Sequence, residues 1–171
     1  WKGQLEFIDV IKKMDTQNIL LLFAGDTKNE SYTKLVRDKI KQNNLDGIFK
    51  ILGSVNQDEM RSLYQIADLS VSFPLRAEGF GRTVSESLYS KTPVLAFDYG
   101  GVKNQLENLS EMFKVKPQDY EALPAKIEKI LSLSVDQKKE AIEGVKSIIE
   151  SNFSKINMVN QYLKLYESLK S

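Results

Sequence analysis

Glu78-Gly79-Phe80-Gly81-Arg82-Thr83-Val84-Ser85-Glu86 follows an apolar run, Leu69-Ser70-Val71-Ser72-Phe73, closed by Pro74. An amphipathic stretch to about Ser90 comes next, then a second apolar run, Val94-Leu95-Ala96-Phe97. In order this reads strand, glycine turn, helix, strand. Two glycines around one aromatic let the backbone turn sharply and bring its N–H groups close to a ligand. The following helix points its positive end at the same place, which suits a phosphate. Glu78 stands before the turn and Glu86 inside the helix, with seven residues between them. Carboxylates accept hydrogen bonds from sugar hydroxyls, so the stretch reads as a site for a phosphorylated ligand that also carries hydroxyls. A plainer reading stands beside it: a tight turn, with Thr83 and Glu86 at the spacing of a capping box.

The same alternation extends in both directions. Leu5, Ile8, Ile11 and Met14 recur at helical spacing behind Trp1-Lys2-Gly3. Ile19 to Ala24 is a continuous apolar run, as expected of a parallel strand buried on both faces. A helix over about 31–43, with Leu35, Val36 and Ile40 inward, leads to a strand at 48–52 that ends at Gly53-Ser54. Asn56 and Glu59 start another helix, with Met60, Leu63, Tyr64 and Ala67 on its buried face. Beyond Phe97, Asp98-Tyr99-Gly100-Gly101 opens a short helix over 103–109. That turn reads equally as a plain connection or as a ligand contact. A strand at 113–115, a helix over 119–133, one helix marked by Ala141 to Ile149 and a last one from Met158 to Leu169 complete the pattern. Unbroken helix–strand alternation predicts an α/β domain, a mostly parallel sheet with helices on both faces. The turns at Gly25, Gly53, Glu78 and Gly100 then lie at the carboxyl edge of the strands, where such sheets bind ligands.

The chain has 171 residues, 42% of them apolar, with 24 Lys and Arg against 23 Asp and Glu. A net charge of +1 gives no bulk attraction to nucleic acid or to a membrane surface. Cysteine and histidine are both absent, which leaves carboxylates, Lys, Tyr, Ser and Thr for chemistry and offers no metal-ligand cluster. No apolar run is long enough to span a membrane. These features predict a cytoplasmic protein. The start at Trp1 suggests a piece of a longer one.

On these residues the chain resembles the C-terminal, nucleotide-sugar-binding domain of a retaining glycosyltransferase of family 4, one half of a two-domain GT-B fold. The likeness is carried by Glu78 and Glu86 around Gly79-Phe80-Gly81, and by Ser87 to Ala96 with its Thr92-Pro93-Val94 strand entry. It is carried further by Asp98-Tyr99-Gly100-Gly101, Gly53-Ser54-Val55, Leu63-Tyr64, Ala67-Asp68 and Lys2-Gly3. The resemblance implies that Lys2 binds the donor diphosphate, that Glu78 contacts the transferred sugar as the catalytic carboxylate, and that Glu86 holds the ribose. Gly79, Phe80, Gly81, Arg82 and Thr83 would meet sugar and phosphate, and Ser54 and Val55 would border the base. It implies a nucleotide-diphosphate sugar as substrate, no cofactor, and retaining transfer in bacterial polysaccharide or lipopolysaccharide synthesis. Residues 1–150 would form the nucleotide-sugar domain. The helix of residues 151–171 would pack toward an N-terminal acceptor domain, leaving Met158, Tyr162 or Tyr166 exposed here. Membrane association, at the inner membrane, would come only through other parts of the protein.

The sequence departs from that family in three places. A first strand with a phosphate-binding arginine is missing before Lys2, which should leave two strands of the sheet short of a partner. Lys103-Asn104 stands where a glutamate follows the glycine turn. Arg82 replaces a common leucine and adds a candidate phosphate contact. Two other readings compete with the transferase: a Rossmann-like binding module without chemistry, and a hydrolase using Glu78 and Glu86 across one bond, about 5–9 Å apart.

Overall fold

Val94, Leu95, Ala96 and Phe97 are completely buried. A strand without a polar face must be covered on both sides, and the rest of the chain supplies the cover. The computed structural model describes residues 1–169. In chain order it forms α1 (Gln4–Ile11), β1 (Leu21–Ala24), α2 (Glu30–Gln42), β2 (Phe49–Gly53), α3 (Gln57–Ile66), β3 (Ser70–Ser72) and α4 (Arg82–Tyr89). Then come β4 (Val94–Phe97), α5 (Gly101–Leu106), β5 (Lys114–Val115), α6 (Leu123–Leu131), α7 (Val135–Ala141), α8 (Val145–Phe153) and α9 (Lys155–Ser168). The fold is α/β with parallel sheets and helices on both sides.

The strands form two sheets, β1 with β2 and β3-β4-β5, parallel throughout. The single sheet expected from the alternation is thus divided. The division falls where the absent strand was expected to leave partners unfilled: β1 and β3 are each paired on one side only. Leu21 and Gly25 donate their N–H groups toward β2, at 2.7 and 2.8 Å, so the N–H of Leu22 points to the open edge. Ser70 donates to Pro93 on the β4 side, so Val71, Phe73 and Leu75 face the open edge of β3. One bond is made there: Leu75 N–H to the Trp1 carbonyl, at 2.8 Å. The chain therefore enters along the free edge of β3. Leu20, just before β1, is 60% exposed, and Leu22 within it 38%.

Several elements differ from the sequence reading. Gly144, in the left-handed region at φ 75°, breaks the expected helix of Ala141 to Ile149 into α7 and α8. Helix α7 begins at a capping box, Ser134 with Gln137, that a reading by apolar spacing passes over. Helix α5 starts at Gly101, two residues early, and α6 starts at Leu123, four residues late. Leu35 points outward and is exposed, and of the expected buried face of α3 only Tyr64 is fully covered. Helix α9 buries no side chain, and Met158, Tyr162 and Tyr166 are all exposed as expected. Among the described residues no helix is long and apolar enough to cross a membrane.

Candidate functional site

The loop from Glu78 to Gly81 leaves the carboxyl end of β3 and turns into α4 through Gly81, whose φ of 81° is left-handed. A side chain there would also strike Val102 at 2.3 Å, so glycine is required twice over. Helix α4 starts at Arg82 with Gly81 as its cap, and no side chain caps it. The capping box expected of Thr83 and Glu86 does not form. Glu86 turns instead to Arg82 and Tyr64.

The second glycine turn supports this loop from behind. Gly101 donates its N–H to the Glu78 carbonyl at 2.9 Å. A Cβ on Gly101 would lie 2.1 Å from the Gly79 carbonyl oxygen, and one on Gly100 would lie 2.6 Å from that of Glu78. The two backbones touch because neither glycine carries a side chain. The turn whose role the sequence left open is thus a support for the first.

Phe80, Arg82 and Glu86 line one side of a cavity of about 590 Å³. Val55, Asn56 and Tyr64 also line it, as do Ile149 and Phe153 of α8. Phe153 meets the Phe80 ring edge-on at 5.5 Å. Asn56 caps α3 through a complete capping box with Glu59, at 2.9 and 2.8 Å, which fixes the loop after β2. Ser54 lies in an adjoining groove, which Val55 shares.

Each proposed carboxylate is paired with a proposed cation. Lys2 Nζ stands 2.5 Å from Glu78 Oε1, and Arg82 Nη2 stands 2.8 Å from Glu86 Oε1. Gly3 places Lys2: its φ is 80°, and a Cβ there would lie 2.2 Å from the Phe73 carbonyl oxygen, so the chain can pass over β3 only as glycine. The Arg82–Glu86 pair is exposed on both sides and contributes only about 0–1 kcal/mol, so a ligand displaces it at little cost, whereas the Glu78 side chain is only 11% exposed. Glu78 and Lys2 are not among the residues that line this cavity.

Tyr64, invisible as a site residue in the sequence, is buried beside Glu86 and Thr83, and its carbonyl accepts the Thr92 hydroxyl at 2.5 Å. Burial pushes the phenol up to about 12, and the neighbouring Glu86 carboxylate adds to the rise. Folded Tyr64 thus stays neutral up to about pH 12, whereas an unfolded tyrosine ionises near 10. Its contribution to stability is complete below pH 10 and is lost as the pH rises through 12, roughly 3 kcal/mol in all. Tyr32, Tyr99 and Tyr120 are raised in the same direction, chiefly by burial. Denaturation between pH 9 and 12 should show this loss, and Tyr64→Phe should make the decline shallower.

Residues 1–147 match the family described as glycosyl transferases group 1. The chain belongs to that family. Among its glycosyltransferase relatives, trehalose synthase of Thermococcus litoralis is 28% identical over 98% of this chain and 42% of its own length. A mannosylglucosylglycerate synthase of Petrotoga mobilis is 30% identical over 54% of this chain and 23% of its own. The solved glycosyltransferase of Rickettsia africae superposes with a TM-score of 0.88 at 28% identity, covering 100% of this chain and 45% of that one. Anabaena HepE, in complex with UDP-glucose, superposes with a TM-score of 0.84 at 24% identity, covering 98% of this chain and 46% of that one. The Rossmann-like domain read from the sequence as one half of a GT-B fold is therefore present, and the chain spans less than half the length of these relatives.

Proposed function

We propose that this glycosyltransferase chain is the donor-binding half of a retaining hexosyltransferase that takes its sugar from a nucleotide diphosphate. One observation carries the reading: a rigidly backed glycine loop sits between two carboxylates, each already paired with a cation. Lys2 and Arg82 answer the negative diphosphate, while Glu78 and Glu86 answer hydroxyls of the sugar and ribose. The loop after β2, at Ser54 and Val55, borders the base. In the transition state the sugar becomes oxocarbenium-like and negative charge gathers on the leaving diphosphate. Lys2, the start of α4 and the N–H groups of Gly79 to Thr83 stabilise that charge, and fixed donors of this kind are each worth roughly 10²–10³ in rate. The acceptor, a bacterial surface polysaccharide or lipopolysaccharide in this proposal, binds to an N-terminal domain outside the chain. The chain by itself binds donor and transfers little.

The complex of HepE with UDP-glucose supports a nucleotide-sugar ligand for this fold. Calorimetric titration with UDP, GDP, ADP, their glucose or mannose conjugates and inorganic pyrophosphate tests the proposal. One nucleotide should bind well ahead of the others and of pyrophosphate. Equal binding of all the anions would instead favour a generic binding module.

A further inference from the structure

Gln105 is 3% exposed, the second-from-last residue of α5, and it points back at the glycine loop. Its amide Nε2 donates to the carbonyl of Phe80. Its Oε1 is buried and has no partner in the structure. A buried amide is normally satisfied at both ends. Here the donor end makes the one hydrogen bond, so the Phe80 carbonyl orients the Gln105 amide.

The consequence follows from peptide geometry. The Phe80–Gly81 peptide is planar and trans, so its C=O and its N–H point in opposite directions. Holding the Phe80 oxygen toward Gln105 turns the Gly81 N–H away from the core. That N–H makes no hydrogen bond to any described residue. A hydrogen bond to the carbonyl also polarises the peptide and makes its N–H a better donor. The Glu78–Gly79 peptide, two before it, is held too, since Gly101 N–H binds the Glu78 carbonyl at 2.9 Å. The Phe80 ring, on the other side of the loop, packs against Phe153.

We infer that Gln105 is a positioning residue: it fixes the Phe80–Gly81 peptide plane so that the Gly81 N–H is presented to an anionic or hydroxyl-bearing oxygen of the donor. This rests on the donor-binding reading above and adds to it the group that sets the loop. Gln105 touches no donor atom. Its amide acts through the backbone it holds.

Two variants test it, Gln105→Met, which keeps the volume and removes the donor, and Gln105→Glu, which at neutral pH puts a carboxylate against the carbonyl. Two readouts are taken: the dissociation constant for UDP-glucose, and the backbone ¹⁵N resonance and hydrogen-exchange rate of Gly81 without ligand. Both variants should bind UDP-glucose about tenfold more weakly, the loss of about one hydrogen bond's orientation. The Gly81 resonance should move and its exchange quicken while resonances of β4 stay in place. Intact β4 resonances with an unmoved Gly81 overturn the inference, whatever the affinity. So does wild-type affinity in both variants when the wild type binds. If the wild type binds no nucleotide sugar, the donor reading falls, and the Gly81 signature still decides whether Gln105 sets this peptide. A variant that fails to fold is replaced by Gln105→Asn, whose shorter amide cannot reach and which should show the same displaced Gly81 signal.

Discussion

Gly101→Ala is expected to lower stability by about 3 kcal/mol and donor affinity roughly a hundredfold. The added methyl group would lie 2.1 Å from the Gly79 carbonyl oxygen and 2.7 Å from the Phe80 Cα. Both are backbone atoms, so no rotamer change relieves the contact. Either the loop moves outward or α5 moves back, and each breaks the Gly101 to Glu78 hydrogen bond. For a domain of this size the melting temperature should fall by roughly 10 °C. Gly47→Ala is the control, because a Cβ there meets nothing within 4 Å, and it should stay within about 0.5 kcal/mol of wild type. Thermal unfolding and a UDP-glucose titration of both variants check this. A stable, fully binding Gly101→Ala protein would mean that the two glycine turns are not in contact.

The second large effect concerns the divided sheet. Five strand-forming residues such as Val-Thr-Val-Thr-Ile, joined to Trp1 through a turn of about four residues, should raise the melting temperature by roughly 10 °C. Trp1 lies beside Leu75 and Gly3 beside Phe73, so residues 1–3 run back along the end of β3, and the turn is needed to bring a strand parallel to β3. The new backbone hydrogen bonds, about 1 kcal/mol each, are nearly offset by ordering the added residues. The net gain, about 3 kcal/mol, comes from covering Leu20 and Leu22 and from the apolar side chains of the new strand. Hydrogen exchange at the Leu22 and Val71 amides should slow. A Gly-Ser extension of equal length should change neither quantity. If both extensions behave alike, the open edges of β1 and β3 are not a site for one strand.

How much of this was written in the sequence differs from element to element. Strand β4 and the loop of Glu78 to Glu86 were legible because a strictly apolar run and a glycine pair each carry a strong local signal. The open edges could be expected from the missing first strand, although not the complete separation into two sheets. Helix α7 had a legible start at Ser134 and Gln137, but weak apolar spacing hid it. The break at Gly144 was equally present as a glycine, yet Ile142, Val145 and Ile149 are all buried and imitate one continuous helical face. Tyr64, Phe153 and Gln105 could not be found at all, since each joins the site through contacts between residues far apart in the chain. Their neighbours in sequence say nothing of Glu86, Phe80 or Gly81.

Titration of UDP and UDP-glucose against the wild type, Glu86→Ala and Glu78→Ala tests the division of labour at this site most directly. Glu86→Ala should weaken both ligands about tenfold or more, because both carry the ribose. Glu78→Ala should weaken UDP-glucose by a similar factor and leave UDP within about twofold, because only the conjugate carries the sugar. Equal affinities in all three proteins, or equal losses for both ligands with Glu78→Ala, would contradict the assignment of ribose to Glu86 and transferred sugar to Glu78.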